Sequence, residues 1–530
     1  MYHGLNRRRF LGLAALPAVV GHARAAGQKR LVFVPQAMPV SLDPIATPSF
    51  ATRTAAMAVF DTLYGMDARL NPMPQMVDQH SMEDDGKRWI FQLRQGLLFH
   101  DGTKVTARDC VESLRRWMRR DRVGHALGAR LDVIEAPSDD TIVLRLGKPL
   151  RRVTLMLTKS QMSPPVIMPA RFANTSADSP VGSIVGSGPF RLTNLSWRPG
   201  DDLDLIRFEN YAPRHEASSF TGGGRHALVN MVSWRTPNDP IQALRDGSVD
   251  WVEWLPPDFA GDTLGDPNLV VSRLDEVGYY ALLRLNTLRG PTANQRIRQA
   301  ILAGVDQTAV METVFGADSG RFKTPIGLFP PDSEFASPVA SGRIGGTQSP
   351  KAIKAMLKDS GYKGEPLVVL NPVDDAVHTR ITGAVINELT QIGLSIDERK
   401  LDRKAFEAWR RRGQGSGHPP SEGDDWSALC DSLPAADHYD PFAISAGPPA
   451  SGGAWPGWPD DPVAGRLRDA WIDAPDLRAE RAVAAQLQTQ VFTTVAFVPL
   501  GQWFPTTARR ASVTGLQTGL FPVFWDVARP

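Results

Sequence analysis

The feature that most constrains the fold is a strand–helix–strand pattern in the second half of the chain. Residues 367–370 are all Val or Leu, which is typical of a buried strand. Residues 381–392 then carry apolar side chains at helical spacing, Gly393 ends the helix, and residues 394–396 form a second short strand. Because the connections are short, the pattern predicts a βαβ unit and therefore an α/β protein with a parallel sheet.

The length of the chain predicts more than one domain. At 530 residues it exceeds what a single hydrophobic core supports. Hydrophobic residues make up 42% and charged residues 22%, a composition that is typical of a soluble globular protein and excludes general disorder. The two cysteines are too few for a disulfide framework or for a metal site made of cysteines.

The formal charge of +2 comes from the beginning of the chain. The N-terminal stretch 1–25 contains Arg7, Arg8, Arg9 and Arg24 but no acid, so the remainder carries a small acidic excess. A body of this charge gives no reason to expect a nucleic-acid partner.

The same N-terminal stretch predicts an export signal. A basic segment precedes an apolar run that is about half the ~20 residues a membrane-spanning helix needs, and positions 23–25 form a small-x-small cleavage site. Arg7 and Arg8 followed by Phe10-Leu11 resemble a twin-arginine signal, which we favour over an ordinary Sec signal. The mature chain is then expected to begin near Ala26 and to be soluble in the periplasm.

Several local patterns predict elements in the first half. Apolar and polar residues alternate over 89–93 as in a half-buried strand, and residues 141–146 read as another strand. Thr106 and Asp109 have the spacing of a capping box at the start of a helix. The sequence Gly186-Ser-Gly-Pro-Phe190 predicts a tight turn that enters a strand, and it lacks the spacing of a phosphate-binding loop.

Common catalytic and metal-binding motifs are absent from the sequence. There is no His-Glu-x-x-His, Gly-x-Ser-x-Gly, Walker loop or Cys-x-x-Cys. Cys110 and Cys430 lie in apolar segments and are interpreted as core thiols. The motifs therefore indicate no catalytic residue, no metal ligand and no cofactor, although an enzyme with dispersed catalytic residues stays open.

The ordered segments resemble the extracytoplasmic solute-binding proteins of family 5, the peptide-, dipeptide- and nickel-binding components of ABC importers. The resemblance covers nearly all of the mature chain. Its blocks are, in order, Ser41-Leu-Asp-Pro44, Val59-Phe-Asp-Thr-Leu-Tyr-Gly65, residues 84–94, Leu98-Phe-His-Asp-Gly102, residues 106–109, residues 186–190, Ala243-Leu-Arg-Asp-Gly-Ser-Val-Asp250, Leu285-Asn-Thr287, residues 296–300, Val305-Asp306 and Pro499-Leu500.

This resemblance implies a two-lobed periplasmic binding protein fold, type II and similar to cluster C, with an extra small subdomain in lobe one. The lobes would close on a ligand by a hinge. They would be joined by two crossing segments, near Val271–Tyr280 and near Phe492. The implied division is 28–71, 180–273 and 493–530 for lobe one, 72–179 for the subdomain and 274–492 for lobe two.

The resemblance also implies where a ligand would bind. In peptide-binding members, an aspartate in a Trp-x-Ala-Asp motif captures the α-ammonium group of the peptide. Asp437 matches that aspartate, although Pro434 replaces the tryptophan. The alternative is a solvated loop acid beside the Asp440-Pro441 turn.

Four aromatic residues complete the predicted site. Trp426, Trp455 and Trp458 lie in or beside Gly/Pro-rich loops, where they would either wall a pocket or anchor the loops. Tyr280 lies on the presumed hinge strand. The run 410–412, Arg-Arg-Arg, is interpreted as a solvated face and is left out of the site.

The function predicted from the sequence is a periplasmic, non-catalytic binding protein that passes a small ligand, with a peptide favoured, to an ABC permease in the inner membrane. The expected state is a monomer. A metal chelate or heme is the alternative ligand. A periplasmic enzyme with dispersed residues and a scaffold or chaperone-like protein are the alternatives from other classes.

Overall fold

The computed structural model describes residues 29–158, 163–214, 227–257, 259, 265–317, 320–346, 348–411, 426–442, 457, 459–517 and 519–529. The predicted export signal, residues 1–25, lies outside the described residues. Among the helices in these ranges, none combines the length and the apolar character needed to span a bilayer.

The strands, in chain order, are β1 (Arg30–Val34), β2 (Tyr64–Met66), β3 (Pro72–Pro74), β4 (Val77–Glu83), β5 (Arg88–Leu93), β6 (Leu131–Glu135), β7 (Thr141–Leu146), β8 (Phe190–Leu192), β9 (Leu203–Arg207), β10 (Met231–Trp234), β11 (Trp251–Val252), β12 (Leu269–Arg273), β13 (Tyr279–Leu285), β14 (Phe322–Lys323), β15 (Leu367–Pro372), β16 (Ile396–Leu401), β17 (Ala428–Pro434), β18 (Phe497–Trp503) and β19 (Thr506–Arg510).

The α-helices are α1 (Phe50–Val59), α2 (Ala107–Met118), α3 (Arg122–Gly128), α4 (Val153–Leu157), α5 (Ala170–Ala173), α6 (Pro240–Asp246), α7 (Gln295–Gly304), α8 (Gln307–Phe315), α9 (Pro350–Asp359), α10 (Ala376–Gln391), α11 (Arg403–Arg411), α12 (Pro462–Ile472) and α13 (Leu477–Thr494). Helix α2 begins with the predicted capping box, in which Thr106 and Asp109 each accept from the backbone N–H of the other.

Lobe one is built on a seven-stranded sheet with the order β12-β19-β11-β1-β10-β9-β8. Strand β1 runs parallel to β10 and β11, and the other neighbouring strands are antiparallel. The core beside β1 is aromatic, because the ring of Phe33 lies 5.1 Å from Trp234, 4.9 Å from Trp251 and 5.1 Å from Phe524. These buried rings fix the inner face of the sheet.

The predicted Gly-Ser-Gly-Pro-Phe turn packs against the end of α1. A side chain at Gly186 would place its Cβ 2.0 Å from the Val59 carbonyl oxygen, and one at Gly188 would place it 2.8 Å away. The backbone N–H of Gly188 donates to that same carbonyl at 2.9 Å. Only glycine allows this close approach, and the turn leads directly into β8 as predicted.

Lobe two is built on a six-stranded sheet with the order β14-β18-β13-β17-β15-β16. Strands β15 and β16 are parallel and are joined by α10, which confirms the predicted βαβ unit. Strand β17 also runs parallel to β15, whereas β13 is antiparallel to both β17 and β18. The three parallel strands therefore end at one edge of the sheet.

The predicted subdomain, residues 72–179, contains a four-stranded antiparallel sheet with the order β4-β5-β7-β6. Helix α2 packs on it through a buried face that includes Cys110, Leu114 and Trp117, as its helical spacing predicted. Arg116 on the same helix pairs with Asp43 of lobe one at 2.8 Å, and both side chains are fully buried. This pair ties the subdomain to lobe one.

Within the described residues, the chain passes between the two lobes at two places. The first crossing, residues 274–278, connects β12 to β13 and lies within the predicted segment. The second was predicted near Phe492, with lobe two ending there, and the strand pairing corrects this boundary. Strand β18 pairs with β13 and β14 in lobe two, and β19 pairs with β11 and β12 in lobe one, so the crossing is Phe504-Pro505. The remaining domain boundaries stay predictions.

Candidate functional site

Parallel strands in each lobe end at the region where the two lobes meet. In α/β proteins, ligands bind in the crevice beyond the carboxyl ends of such strands. In lobe one, the backbone N–H of Gln36, just after β1, donates to the carboxylate of Glu253, just after β11, at 2.7 Å. In lobe two, β17 ends at Pro434 and leads into the turn that carries Asp437. These two edges form the candidate site.

Asp437 lies in a short helical turn after β17 and is only 6% exposed. Its charge acts on Arg122, the first residue of α3 in the subdomain. Burial lowers the pKa of Arg122 to about 10, nearby Arg468 lowers it further, and Asp121 and Asp437 raise it. The predicted ammonium-binding aspartate therefore interacts electrostatically with a cation that the protein itself supplies.

Tyr280 packs in lobe two rather than presenting its hydroxyl to the other lobe. It is fully buried, and its ring is parallel to that of His438 at a centroid distance of 4.0 Å. Its hydroxyl donates to the Gly327 carbonyl. The structure thus brings Tyr280 next to the segment of Asp437, but its hydroxyl group is already hydrogen-bonded within the protein. Its role in the site stays a prediction.

Of the three predicted tryptophans, only Trp426 lies among the described residues, and Trp455 and Trp458 lie outside them. Trp426 is fully buried in a small cluster with Leu370, Phe406 and Leu429. Its carbonyl accepts from the Nδ2 of Asn286 at 2.8 Å. This packing is that of a structural anchor in lobe two, and the ligand-binding roles of the three tryptophans stay predictions.

Two buried acids at the lobe-one side were missed in the sequence. Glu253 is 8% exposed and Asp275, in the first crossing, is 1% exposed. Burial raises the pKa of each to about 7, although backbone N–H donors and the nearby Arg53 act in the opposite direction. Asp275 Oδ1 accepts from the backbone N–H of Val277 at 2.8 Å, while its buried Oδ2 has no hydrogen-bond partner among the described residues.

Aromatic rings from both lobes surround this acidic pair. Tyr279 lies 5.0 Å from Trp254, 5.2 Å from Trp503 and 5.8 Å from Phe50. The buried Nε1 of Trp254 has no partner in the described part of the chain. We call Glu253, Asp275 and these rings the hinge cluster. Carboxylates and aromatic faces both favour cations, and the guanidinium of Arg53 already lies among them.

The segment Asp437–Tyr439 joins the hinge cluster to a basic region. Tyr439 lies close enough to Asp275 for the carboxylate to help raise its pKa, after burial. On the other side, Arg122 lies near Arg284, whose pKa is lowered to about 9 by burial even though Asp431 acts in the opposite direction. The site therefore has carboxyl groups toward the crossing and arginines, each accompanied by an acid, toward the subdomain.

A buried ion-pair network supports the basic region. Arg284 pairs with Asp431 at 2.7 Å, and Arg410 pairs with the same oxygen at 3.1 Å. Burial would raise the pKa of Asp431, but Arg410 and Arg284 hold it below its ordinary value. The sequence interpretation of Arg410 as part of a solvated face was wrong, because its side chain is only 23% exposed and joins this network.

The signals for these missed residues are weak in the sequence. Arg53 interrupts a helix of small and apolar residues, and Asp275 precedes Val277-Gly278 in a segment that would otherwise suit a buried turn. A charge inside an apolar run indicates a buried partner. It does not say which of the distant residues supplies that partner.

Residues 71–421 match the family described as bacterial extracellular solute-binding proteins, family 5 Middle. A probable peptide ABC transporter periplasmic-binding protein of Sinorhizobium fredii is 30% identical over 492 residues, which covers 92% of this chain and 91% of that protein. The dipeptide-binding protein DppE of Bacillus subtilis is 22% identical over 410 residues, 72% of each chain.

Solved structures share the fold. The dipeptide-binding protein from Pseudoalteromonas sp. SM9913, solved in complex with Met-Leu, has a TM-score of 0.76 at 17% identity and covers 94% of this chain and 99% of its own. DppA from Helicobacter pylori, solved with the peptide STSA, has a TM-score of 0.75 at 18% identity, with 94% and 98% covered. These likenesses confirm the predicted two-lobed fold.

Proposed function

The chain belongs to the bacterial extracellular solute-binding proteins of family 5, and we propose that it binds a short peptide between its two lobes and delivers it to an ABC importer. The family is one of binding proteins rather than enzymes, which agrees with the prediction from the sequence. The described residues hold no group of three His, Cys, Asp or Glu side chains that could bind a metal ion.

The observation that carries the peptide proposal is that buried carboxyl groups lie at one end of the site and several guanidinium groups lie at the other. A free peptide has an ammonium group at one end and a carboxylate at the other. The hinge cluster offers buried carboxylates and aromatic faces for the ammonium group. The region of Arg122 and Arg284 contains guanidinium groups, which bind carboxylates in pairs of hydrogen bonds, and a peptide carboxylate would share them with Asp437 and Asp431.

Two acids compete for the role of ammonium ligand. Asp437 is the residue that the family resemblance implies, but its charge already acts on Arg122. Asp275 also has a protein cation nearby, Arg53, but it lies in a cluster of aromatic faces, which favour cations. We therefore propose that the peptide ammonium binds at Asp275 and the peptide carboxylate at the Arg122 end.

The first test identifies the ligand. The protein is purified under native conditions and the molecules released from it are identified by mass spectrometry. Short peptides are the expected result. Release of a metal chelate or heme, the alternative ligands, would contradict the proposal, and so would turnover of the released molecule by the protein.

The second test locates the ammonium group by calorimetry with the released peptide. Asp275→Asn should weaken its binding by about 30-fold or more, because a charge partner is lost from a buried site. Glu276→Gln is the matched control, since the neighbouring Glu276 side chain is 60% exposed and pairs with Arg273. A loss on Asp437→Asn with none on Asp275→Asn would reassign the ammonium group to Asp437.

Export through the twin-arginine route, and residence of the mature monomer in the periplasm, complete the proposal. Arg7 and Arg8 before Phe10-Leu11 support it. Changing both arginines to lysine should leave the precursor in the cytoplasm, as followed by fractionation and immunoblotting. Normal amounts of mature protein in the periplasm would instead indicate the Sec route.

A further inference from the structure

Basic side chains of the subdomain contact the loop between α12 and α13 of lobe two. Arg130 pairs with Asp473 at 3.1 Å, and Lys148 pairs with the same carboxylate at 3.5 Å. Arg151 donates to the Pro475 carbonyl at 2.6 Å. These contacts join parts of the chain that are far apart in sequence.

Arg152, which precedes α4, makes the most complete of these contacts. Its Nε donates to Glu480 Oε1 at 2.8 Å, a second nitrogen donates to the other oxygen of Glu480, and Glu334 lies 3.4 Å away. The guanidinium also lies over the rings of Phe335 at 5.7 Å and Trp471 at 5.2 Å. Lobe two thus holds Arg152 with two carboxylates and two aromatic faces.

The charges in these contacts are segregated. The cations come from the subdomain, whereas the carboxylates that receive them come from lobe two. The pairs differ in their contact with water, since Lys148 is 69% and Asp473 is 34% exposed, whereas Arg152 is 24% and Glu480 is 9% exposed. Water can therefore replace the Lys148–Asp473 pair at a small cost when the lobes separate, whereas separating Arg152 from Glu480 costs more.

We propose that Arg130, Lys148, Arg151 and Arg152 form an interlobe clasp, with Arg152 as its anchor, that raises the closed fraction of the protein when no ligand is bound. The proposal builds on a binding protein that opens and closes, but it concerns the empty protein. A clasp of this kind supplies part of the free energy of closure, so the ligand has less of it to supply.

The experiment measures the distance between the lobes without any ligand. Spin labels are attached to cysteines introduced at Lys87 of the subdomain and Ala482 of lobe two, both of which are exposed. The native Cys110 and Cys430 are buried and should not react. Double electron–electron resonance then gives the populations of short and long distances between the two labels. In Arg152→Gln, the ratio of closed to open molecules should fall about tenfold.

Arg145→Gln is the matched control, because Arg145 pairs with Glu135 inside the subdomain at 3.2 Å and should leave the distances unchanged. Glu480→Gln removes the partner from lobe two and should reproduce the shift. If circular dichroism shows that Arg152→Gln does not fold, the distances measured in Glu480→Gln test the proposal instead. Equal distances in the parent and in the clasp variants, including a parent that is wholly open, would overturn the proposal. Because no ligand is used, that result would leave the proposed ligand unaffected.

Discussion

The subdomain contacts its two neighbours in different ways. Toward lobe one, the Arg116–Asp43 pair is fully buried, and Arg116 also donates to the carbonyl of Ser179 at 2.9 Å. Toward lobe two, the Lys148–Asp473 pair is open to water, and the Arg152–Glu480 pair is less so, with Arg152 24% and Glu480 9% exposed. A buried pair is costly to break because the remaining charge stays buried, whereas an exposed pair exchanges with water. The subdomain should therefore move with lobe one and separate from lobe two.

The largest effect is expected when the buried contact between the subdomain and lobe one is broken. Arg116→Gln leaves the Asp43 carboxylate buried without its cation, so the free energy of unfolding should fall by about 3–5 kcal/mol in urea denaturation. Arg120→Gln is the control, because Arg120 pairs with Asp178 at 3.0 Å where that side chain is 78% exposed, and it should cost less than ~1 kcal/mol. Equal losses in both variants would contradict the conclusion that the buried Arg116–Asp43 pair costs more to break than an exposed pair.

An intermediate effect tests the hinge cluster, which lies where the lobes are covalently joined. Burial raises the pKa of Asp275 from 3.8 to about 7, so between these values the folded protein keeps a proton that the unfolded chain has released. The free energy of unfolding should then fall as the pH rises, by at most ~1.4 kcal/mol per pH unit for this group. Urea unfolding at pH 5 and pH 7.5 should show a smaller fall in Asp275→Asn.

Glu276→Gln controls this measurement, because it changes a neighbouring exposed acid. It should keep the pH dependence of the parent protein. If Asp275→Asn also kept it, Glu253, whose pKa is likewise raised to about 7, would be the group that carries the dependence.

The smallest effect is expected when an exposed contact between the subdomain and lobe two is broken. Lys148→Gln should lower the free energy of unfolding by less than ~1 kcal/mol in dilute buffer, and the difference should vanish at high ionic strength because salt screens exposed pairs. The loss caused by Arg116→Gln should be nearly independent of salt. Unfolding in low and high sodium chloride checks both, and a salt-resistant loss for Lys148→Gln would contradict the assignment of this face as separable.

Features that depend on neighbours in sequence could be predicted. The capping box of Thr106 and Asp109, the turn at Gly186 and the βαβ unit of lobe two all follow from local spacing, and the structure confirms each of them. The second crossing was placed too early in the chain. Helix and strand follow one another there without a turn residue that would mark which sheet the strand joins.

Features that depend on distant partners could not be predicted. Asp437 was proposed from its position in a family motif, but Arg122, on which its charge acts, comes from another domain. Asp275 and Arg53 are far apart in sequence, and their burial together is set by tertiary packing. Arg410 was interpreted as part of a solvated run of arginines because nothing near it in sequence indicates that Asp431 is its partner.

The position of β19 has a consequence for how the protein is made. This strand lies between β11 and β12 in the lobe-one sheet, although β1 of the same sheet is among the first residues described. During synthesis, lobe one is therefore begun first and completed last, after the whole of lobe two has emerged from the ribosome. A chain that stops short of residue 506 leaves β11 and β12 without the strand that joins them. The proposed twin-arginine route accepts only folded cargo and would reject such a fragment, so under that route the order of strands in the sheet would serve as a check that the chain is complete.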